Sequence, residues 1–466
     1  MNDRLRLAIN ESLPTLASVF STGRQLAGFR ALTVSMSTRN LLQTPRKVVV
    51  TGLGIVSPIG IGREAFAASL ESRTSGVAPI TAIDTSELSI HIGGEVRDFD
   101  AKRYVRPRKS LKVMSREIQF AFTAADLAMA DAGLGPGQGA ANQCDPERLA
   151  VVFGSDMIYC EIDEVIEAFR VCLPDGRFDF SRWGPQAMPR IYPLWLLKSL
   201  PNMPACHVAI ANDARGPCNA PILGDASSLS AVAEGFRLIE RGAADCVIVG
   251  GTGCRLHPTC LTFRTNQWYS TWKGAPEAAS RPFDRARCGQ VPGEGAGALI
   301  LEAEEHARAR GATPQARVLA AISRFEPVHN ERPPKGVAIR ATIAAALDEA
   351  RIGRADVGHV SAHGYGTIPH DRAEAQAIRD VLGDVPVTAL KSYYGNLGAG
   401  SGAVEMAAAV LALASGKIPA TLNYERPDPD CPLSVVSNGA LARGSTALVL
   451  SQATTGQALA VMLVAP

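Results

Sequence analysis

Three polar side chains, those of residues 225, 363 and 396, are of types that can take part in chemistry. Asp225 precedes the amphipathic stretch Ala226–Arg241, and because Asp is a favoured N-cap residue, the sequence predicts that it caps this helix. His363 ends the apolar run Val357–Ala362 and faces a loop, where an imidazole can serve acid–base chemistry or simply be hydrogen-bonded. The amide of Asn396 can donate a hydrogen bond to an oxyanion.

A longer pattern surrounds Asp225. The chain has Gly-Pro at residues 216 and 217 and reaches Asp225 eight residues later, followed by small residues and the predicted helix. This segment resembles the β-ketoacyl-ACP synthases, the condensing enzymes of fatty-acid and polyketide assembly, in which that position holds the nucleophilic cysteine. Acyl transfer to a carboxylate would give a reactive mixed anhydride. The resemblance therefore implies a ketosynthase scaffold without its thiol.

The segment Val360–Thr367 resembles the first histidine motif of that family. His363 is the matching histidine, and Asp371 and Glu374 follow at the family spacing. In the family this imidazole helps to hold the thioester oxygen of the extender unit during decarboxylation. Tyr365 stands where the family has Thr and adds bulk. A catalytic role and a structural role for His363 both stay open.

The second histidine of the family is replaced in this chain. The segment Lys391–Gly400 resembles the family motif Lys-Ser-x-x-Gly-His, except that Asn396 stands in the place of the histidine. Related enzymes use a Cys-His-Asn set, so the resemblance implies that decarboxylation is weakened rather than excluded. Lys391 and Glu405 resemble a supporting pair of buried polar residues in the family.

The loop that gates the acyl pocket in the family is also altered. The family has Gly-Phe-Gly-Gly near the C-terminus, whereas this chain has Thr454, Thr455 and Gly456 in the corresponding segment. Non-glycine residues restrict the backbone, so the resemblance predicts pocket and gating residues here with an altered oxyanion hole.

Short β-branched runs alternate with Ala-rich amphipathic stretches from Lys47 onward, including predicted helices at Val337–Ala350 and Val404–Leu413. The alternation predicts a layered α/β fold with parallel central strands. The resemblance adds the thiolase-like fold, with five α-β-α-β-α layers made of two similar halves, residues 46–305 and 306–466, and a dimer joined at sheet edges. The other apolar runs are Leu149–Phe153, Cys246–Val249, Ala298–Leu301, Val318–Ile322, Val357–Ala362, Ala447–Leu450 and Leu459–Val464.

Composition excludes several classes of function. The 47 basic and 45 acidic residues leave a net charge of +2, which does not favour nucleic acid. The ten cysteines are scattered and form no CxxC pair, which predicts no metal site and a reduced, cytoplasmic setting. No apolar run reaches the length of about 20 residues that a membrane-spanning helix requires. No organic cofactor is implied. Residues 1–45, rich in Arg, Ser and Leu, indicate an N-terminal extension that is disordered, is an organelle transit peptide, or results from a start assigned upstream of Met36.

The fold-determining segments are retained while the cysteine, the second histidine and the gating loop are replaced. This pattern resembles chain-length-factor subunits, which lack the cysteine and pair with an active ketosynthase. The leading hypothesis is a condensation-deficient subunit that shapes its partner's acyl tunnel, with phosphopantetheine arriving on acyl carrier protein. Chain-length factors usually carry Gln at this position, and the charge of Asp225 would repel a malonyl carboxylate unless Asp225 is protonated or paired.

Two alternatives accompany this hypothesis. One is an enzyme of the acyltransferase class that decarboxylates, hydrolyses or condenses acyl- or malonyl-ACP in an atypical way through His363 and Asn396. The other is a homodimeric scaffold that binds acyl-ACP or lipid. Whether the chain has catalytic activity of its own stays open at the level of sequence.

Overall fold

The computed structural model describes residues 45–135, 144–264, 268–328 and 335–466. The predicted N-terminal extension, residues 1–45, lies outside the described residues except for its last position. Residues 45–466 form one compact unit, described below.

The strands follow the apolar runs of the sequence closely. Numbered along the chain they are β1 (Val48–Ser57), β2 (Gly60–Ile61), β3 (Val77–Pro79), β4 (Ile92–Gly94), β5 (Leu149–Gly154), β6 (Cys218–Asn219), β7 (Cys246–Cys254), β8 (Glu294–Ala303), β9 (Ala316–Phe325), β10 (His359–Ser361), β11 (Pro386–Thr388), β12 (Lys417–Ile418), β13 (Ser434–Val435), β14 (Ala440–Leu441), β15 (Thr446–Gln452) and β16 (Gln457–Val464).

The α-helices occupy the Ala-rich stretches between them. They are α1 (Arg63–Ser72), α2 (Arg116–Asp131), α3 (Ile162–Val171), α4 (Trp195–Ser199), α5 (Met203–Ala211), α6 (Ser227–Glu240), α7 (Glu304–Ala309), α8 (Val337–Ala350), α9 (Ile368–Leu382), α10 (Lys391–Tyr394) and α11 (Ser401–Ser415). The predicted helices at Ala226–Arg241, Val337–Ala350 and Val404–Leu413 are therefore confirmed.

The large mixed sheet repeats one strand pattern on both sides of its centre. Its order is β13-β11-β10-β15-β16-β9-β1-β8-β7-β5-β6, with β2 added beside β1. The series β1-β8-β7-β5-β6 and β9-β16-β15-β10-β11 each begin with two antiparallel pairings and continue with two parallel ones. Strands β1 and β9 meet antiparallel between the two series. The duplicated order is the arrangement expected of two similar halves, and a division between residues 305 and 306 stays a prediction.

The prediction of parallel central strands is wrong. The four strands nearest the centre, β16, β9, β1 and β8, pair in an antiparallel way, and the parallel pairs lie farther out. All ten residues of β1 are buried, as expected for a strand covered on both faces. A continuous apolar run indicates such burial but carries no information about strand direction.

Helices α6 and α11 lie at the middle of the layers and position the polar residues of interest. They pack against each other, and between them they contact strands of both series, whereas α2 covers β1 and β8 and α8 covers β9 and β16. The turns that precede the two helices, Gly224–Ala226 and Gly398–Gly400, also contact each other. This contact brings the neighbourhoods of Asp225 and Asn396 together from opposite halves.

One stretch of the described residues, Gly398–Ser415, is long and apolar enough to cross a membrane by composition. It includes α11, and 78% of it is buried inside the protein, so the core accounts for its apolar character.

Helix α2 lies very close to β1, and glycine makes the approach possible. A Cβ atom added at Gly54 would lie 1.8 Å from the carbonyl oxygen of Ala124, and one at Gly52 would lie 2.2 Å from that of Ala128. Backbone oxygens in a helix cannot move aside as the end of a flexible side chain can. Helix and strand would have to separate to admit a methyl group.

We therefore expect Gly54→Ala to lower the free energy of unfolding by about 3 kcal/mol or more, because overpacking forces backbone shifts. Urea denaturation followed by circular dichroism measures the change. Gly184→Ala is the matched control, since nothing lies within 4 Å of an added Cβ there. Its change should stay within about 0.5 kcal/mol. Equal stabilities for the two variants would contradict the packing argument.

Candidate functional site

Asp225 does not cap a helix. It lies inside the 3-10 turn Gly224–Ala226, the N-cap of α6 is Ala226, and no side chain caps that helix. The Asp225 carboxylate accepts a hydrogen bond from Nη2 of Arg255 at 2.6 Å on Oδ1 and from the Tyr365 hydroxyl at 2.7 Å on Oδ2. The capping prediction is therefore wrong, because a charged donor and a hydroxyl engage the carboxylate instead of backbone N–H groups.

Asp225 and Arg255 form a buried ion pair. Only 3% of Asp225 and 9% of Arg255 are exposed. Burial alone would raise the pKa of Asp225, but the Arg255 guanidinium and the Tyr365 hydroxyl bring it well below its usual value. Burial would lower the pKa of Arg255, and the Asp225 carboxylate raises it above its usual value. Both groups are thus charged at neutral pH, and each compensates the other's loss of hydration.

The second series of strands completes the surroundings of Asp225. The Tyr365 hydroxyl also lies 3.0 Å from the carbonyl oxygen of Gln452, and Ser451 Oγ donates to the Asp225 carbonyl oxygen at 2.9 Å. Burial and the neighbouring Asp225 raise the pKa of Tyr365 well above its usual value, so the phenol keeps its proton. The hydroxyl therefore serves as a donor to the carboxylate.

His363 is fully buried and neutral. Burial and the nearby Lys391 lower the pKa of its imidazole well below the usual value. The Lys391 ammonium can only donate, so at 3.2 Å it bonds to Nδ1 as an acceptor and the proton of the ring resides on Nε2. Nε2 has no hydrogen-bond partner among the described residues. The imidazole thus keeps a buried Nε2–H group that donates to no acceptor among the described residues.

Two carboxylates hold the loop that carries His363. Glu374 accepts the backbone N–H groups of His363 at 2.7 Å and Gly364 at 2.9 Å, while Asp371 accepts that of Gly366 at 3.0 Å. Burial raises the pKa of Glu374 to about 7 and that of Asp371 to about 6, and these backbone bonds oppose the shift. Their geometry is that of residues that shape the loop.

Lys391 and Glu405 form the buried polar pair that the sequence predicts. Lys391 Nζ donates to Glu405 Oε1 at 2.6 Å and to the carbonyl oxygen of His363 at 2.9 Å, and with the bond to Nδ1 all three of its protons are used. Burial raises the pKa of Glu405, and Lys391 acts in the opposite direction. The pair fixes the position and the tautomer of His363.

Asn396 is committed to hydrogen bonds within the fold. Its Nδ2 donates to Gln290 Oε1 at 2.9 Å and lies 3.5 Å from Asp225 Oδ2. Its Oδ1 accepts the Gly398 N–H at 3.0 Å and the Ser401 hydroxyl at 3.1 Å. The amide thus links Asp225 to the turn before α11 and is 1% exposed.

The segment predicted to gate the pocket forms the tight turn between β15 and β16. Thr454 and Thr455 are exposed, whereas Gly456 is buried with φ 102°. A Cβ at Gly456 would lie 2.0 Å from the carbonyl oxygen of Glu326, so glycine is required there. Two residues that precede this turn contact the site, namely Gln452 and Ser451.

A small cavity lies on the other side of Arg255. Its volume is about 20 Å³, room for about one water molecule, and its lining includes Glu117, Met157 and Cys254. Burial raises the pKa of Glu117 to about 7, and burial together with Glu294 raises that of Cys254 well above its usual value. Cys254 is therefore a thiol and not a thiolate. Among the described residues there is no cluster of His, Cys, Asp or Glu that could hold a metal ion.

Sequence reasoning brought Asp225, His363 and Asn396 into one site, and the structure places them together. It did not identify Arg255, Gln290 or Gln452. One signal for Arg255 was available, a charged residue directly after the apolar strand β7. Nothing in the local sequence connects it with a carboxylate 30 positions earlier.

Residues 45–307 match the family described as Beta-ketoacyl synthase, N-terminal domain, and residues 316–425 match the corresponding C-terminal domain. A 3-oxoacyl-[acyl-carrier-protein] synthase 2 of Synechocystis sp. is 34% identical over 397 residues, which cover 84% of this chain and 91% of that protein.

Two solved structures are similar to the fold. The ishigamide ketosynthase/chain length factor matches with a TM-score of 0.79 at 29% identity, over 91% of this chain and all of that one. A type II PKS acyl-carrier protein in complex with its ketosynthase bound to the hexaketide, AntDE:AntF, matches with a TM-score of 0.75 at 29% identity and the same coverage.

We expect Arg255→Met to lower the free energy of unfolding by about 3–5 kcal/mol, because it leaves the Asp225 carboxylate buried without its cation. The double variant Asp225→Asn, Arg255→Met should cost at least about 2 kcal/mol less than the sum of the two single changes. Chemical denaturation of all four proteins gives this coupling. Additive costs, within about 0.5 kcal/mol, would show that the two charges do not depend on each other.

Proposed function

The chain belongs to the β-ketoacyl synthase family and has its thiolase-like fold, and from this premise we propose that it is a condensation-deficient subunit that pairs with an active ketosynthase. Members of the family serve fatty-acid and polyketide synthesis. The role proposed for this subunit is to complete and limit the acyl tunnel of its partner, as a chain-length factor does.

The observation that carries the proposal is the buried ion pair at the position of the nucleophile. The Asp225 carboxylate is bound to Arg255 and Tyr365, so its charge is compensated and its oxygens are occupied. An acyl thioester would have to break both contacts and would then form an anhydride. The pair also reduces the repulsion expected between Asp225 and a malonyl carboxylate, because a compensated carboxylate repels a malonyl group far less than a free one.

The space around the pair supports the same proposal. The cavity beside Arg255 holds about one water molecule. Its lining includes the polar side chains of Glu117, Thr252 and Arg255, which would lose their hydration against an acyl chain. Cys254, which also faces the cavity, is protonated. Among the described residues, the cavity beside Arg255 thus offers neither a nucleophile nor room for an acyl group.

A surface suited to a second subunit lies at the outer edge of the sheet. Strand β6 is the last strand on this side, and both of its residues, Cys218 and Asn219, are exposed. Two large apolar side chains near it are exposed as well, Ile210 to 76% at the end of α5 and Ile222 to 50%. An uncovered edge of this kind pairs readily with the edge of another sheet. The preferred partner is a cysteine-bearing ketosynthase, and a homodimer is the alternative.

The acyl substrate would reach such a pair on acyl carrier protein. The similarity to a ketosynthase in complex with an acyl-carrier protein supports this partner, and phosphopantetheine would then arrive with the carrier rather than reside on this chain. A cytoplasmic location is part of the proposal, since carrier-bound substrates are used where they are made.

One observation favours a second candidate function, decarboxylation of malonyl-ACP. The neutral His363 keeps an Nε2–H without a partner among the described residues, and this is the kind of donor that can hold a thioester oxygen. Asn396 contributes less, because its amide already donates to Gln290. Such an activity would need the enclosed site to open.

We expect the purified chain to form no covalent adduct with acyl-ACP, because it has no thiolate at residue 225. We also expect it to release no carbon dioxide from malonyl-ACP, because His363 is enclosed and fully buried. Intact-protein mass spectrometry and a carbon dioxide assay measure both. An active ketosynthase is the positive control for adduct detection.

Addition of a cysteine-bearing ketosynthase that binds this chain should restore condensation, and this chain should then set the length of the product. An adduct on the isolated chain would contradict the proposal. Carbon dioxide release that His363→Gln abolishes would establish the decarboxylase instead. Inertness with every ketosynthase tested, together with a stable homodimer, would favour the scaffold.

We expect Ile210→Asp and Ile222→Asp each to weaken subunit association at least tenfold, because a charge would be buried next to the sheet edge. Analytical ultracentrifugation over a dilution series measures the dissociation constant. Leu441→Asp is the matched control, since Leu441 is 78% exposed and lies on the separate two-stranded sheet of β12 and β14. Equal effects of all three changes would place the interface elsewhere.

A further inference from the structure

A groove of about 660 Å³ lies between helix α1 and the second half of α11. The residues of α1 that line it recur at every third or fourth position, and so do those of α11, which places each set on one face of its helix. In the described part of the chain the two helices make little direct contact, so the space between them stays open. The groove begins at Ala408, about 10 Å along α11 from the turn Gly398–Gly400, and is therefore separate from the site at Asp225. Its volume is that of a site for a small molecule.

The floor of the groove is apolar. Leu70 of α1, Ala408 of α11 and Ile418 of β12 line it and are buried, and Leu411 is partly buried beside them. Ala67, on the same face of α1 as Leu70, has a side chain too small to fill the space between the helices. An apolar chain laid along this floor would be removed from water together with the side chains that it covers, which favours its binding.

Three cationic side chains line the groove together with one carboxylate, and two of the cations are already paired. At the start of α1, Arg63 Nη1 lies 3.3 Å from Asp131 Oδ1. At the opposite end of this helix, Lys417 Nζ lies 3.4 Å from Glu71 Oε1. Each of these pairs is close to neutral as a whole, so neither requires an anionic ligand.

Arg73, the third cation, is bound to neutral acceptors in the described part of the chain. Its guanidinium donates to the side-chain oxygen of Asn438 at 3.4 Å and also to the carbonyl oxygen of that residue. Neither acceptor compensates the positive charge. Arg73 ends α1 in the left-handed conformation, with φ 57°, where glycine is the favoured residue. The chain thus holds an uncompensated cation at this end of the groove, at some cost to the backbone.

We propose that the groove binds a free fatty acid of medium length, with its carboxylate at Arg73 and its chain along the apolar floor beside Leu70 and Leu411. A guanidinium with one uncompensated charge matches a monoanion, and its planar fork suits a carboxylate. Glu71 lies at the same end of the groove and would repel a second negative charge, which disfavours a phosphate dianion. Binding at this groove is independent of the role proposed for the chain at Asp225.

Isothermal titration calorimetry of the full chain with sodium decanoate tests the binding. We expect one decanoate to bind per chain with a Kd of about 1 mM or lower, as is typical of a ligand of this size. Hexanoate has fewer methylene groups and should bind at least about tenfold more weakly, because less apolar surface leaves water. A decanoate Kd above about 10 mM, or equal Kd values for the two acids, would overturn the proposal.

Arg73→Gly tests the role of the cation. It removes the guanidinium, and glycine suits the left-handed backbone, so the fold is retained. The decanoate Kd should rise about fivefold, as expected for a charge pair at a solvent-accessible site. Arg351→Gly is the matched control, since Arg351 ends α8 in the same left-handed conformation, with φ 56°, and does not line the groove. Equal Kd values for the two variants would contradict the position assigned to the carboxylate.

Ala67→Phe tests the position of the chain of the ligand. The phenyl ring would occupy the space between the two helices, so the decanoate Kd should rise at least about tenfold. Ala68→Phe is the matched control, since Ala68 is exposed on the same helix and does not line the groove, and it should leave the Kd unchanged. Decanoate binding that persists in Ala67→Phe would place the ligand elsewhere in the protein and overturn the proposal.

Vesicles of phosphatidylcholine and phosphatidylglycerol distinguish a soluble acid from a membrane lipid, whose head can also be a monoanion. We expect the chain to remain in the supernatant when the vesicles are sedimented, because one uncompensated cation attracts an anionic surface only weakly. Sedimentation with the vesicles that Arg73→Gly abolishes, without binding of decanoate, would assign the groove to a lipid surface and overturn the proposal.

Discussion

The buried ion pair between Asp225 and Arg255 is the contact on which the rest of the site depends. An isolated charge at this depth would cost several kcal/mol of lost hydration, so each partner is tolerable only because the other is present. The Tyr365 hydroxyl and the Asn396 amide then orient around the paired carboxylate. The carboxylate at residue 225 is in this way enclosed and its charge compensated.

The site is assembled from both halves of the duplicated sheet. Asp225 and Arg255 come from the first series of strands and the helix behind it, while Tyr365, Asn396 and Gln452 come from the second. The middle helices α6 and α11 bring the two contributions together through the turns at their starts. The polar network therefore closes only where the two series pack together, which explains why it is buried so completely.

Much of the fold could be predicted from the sequence, because apolar runs such as Leu149–Phe153 and the Ala-rich stretch Val337–Ala350 report burial and periodicity directly. The family was predicted from motifs around Asp225 and His363, and the family matches confirm it. Whether neighbouring strands pair parallel or antiparallel was not predictable, since a continuous apolar run is compatible with either direction. The partner of Asp225 was not predictable either. Arg255 is distant in sequence, and a helix cap is the default expectation for an Asp before a helix.

The mutual dependence of Asp225 and Arg255 also has a consequence for the history of the chain. If a mutation placed a thiol at residue 225, the guanidinium of Arg255 would stay behind in the core without a counter-ion, and the single variant would be badly destabilised. A second change at residue 255 would be needed before the first became tolerable. Such dependence is epistasis: once the pair is established, neither residue can be replaced singly without loss of stability, so the two positions can change only together.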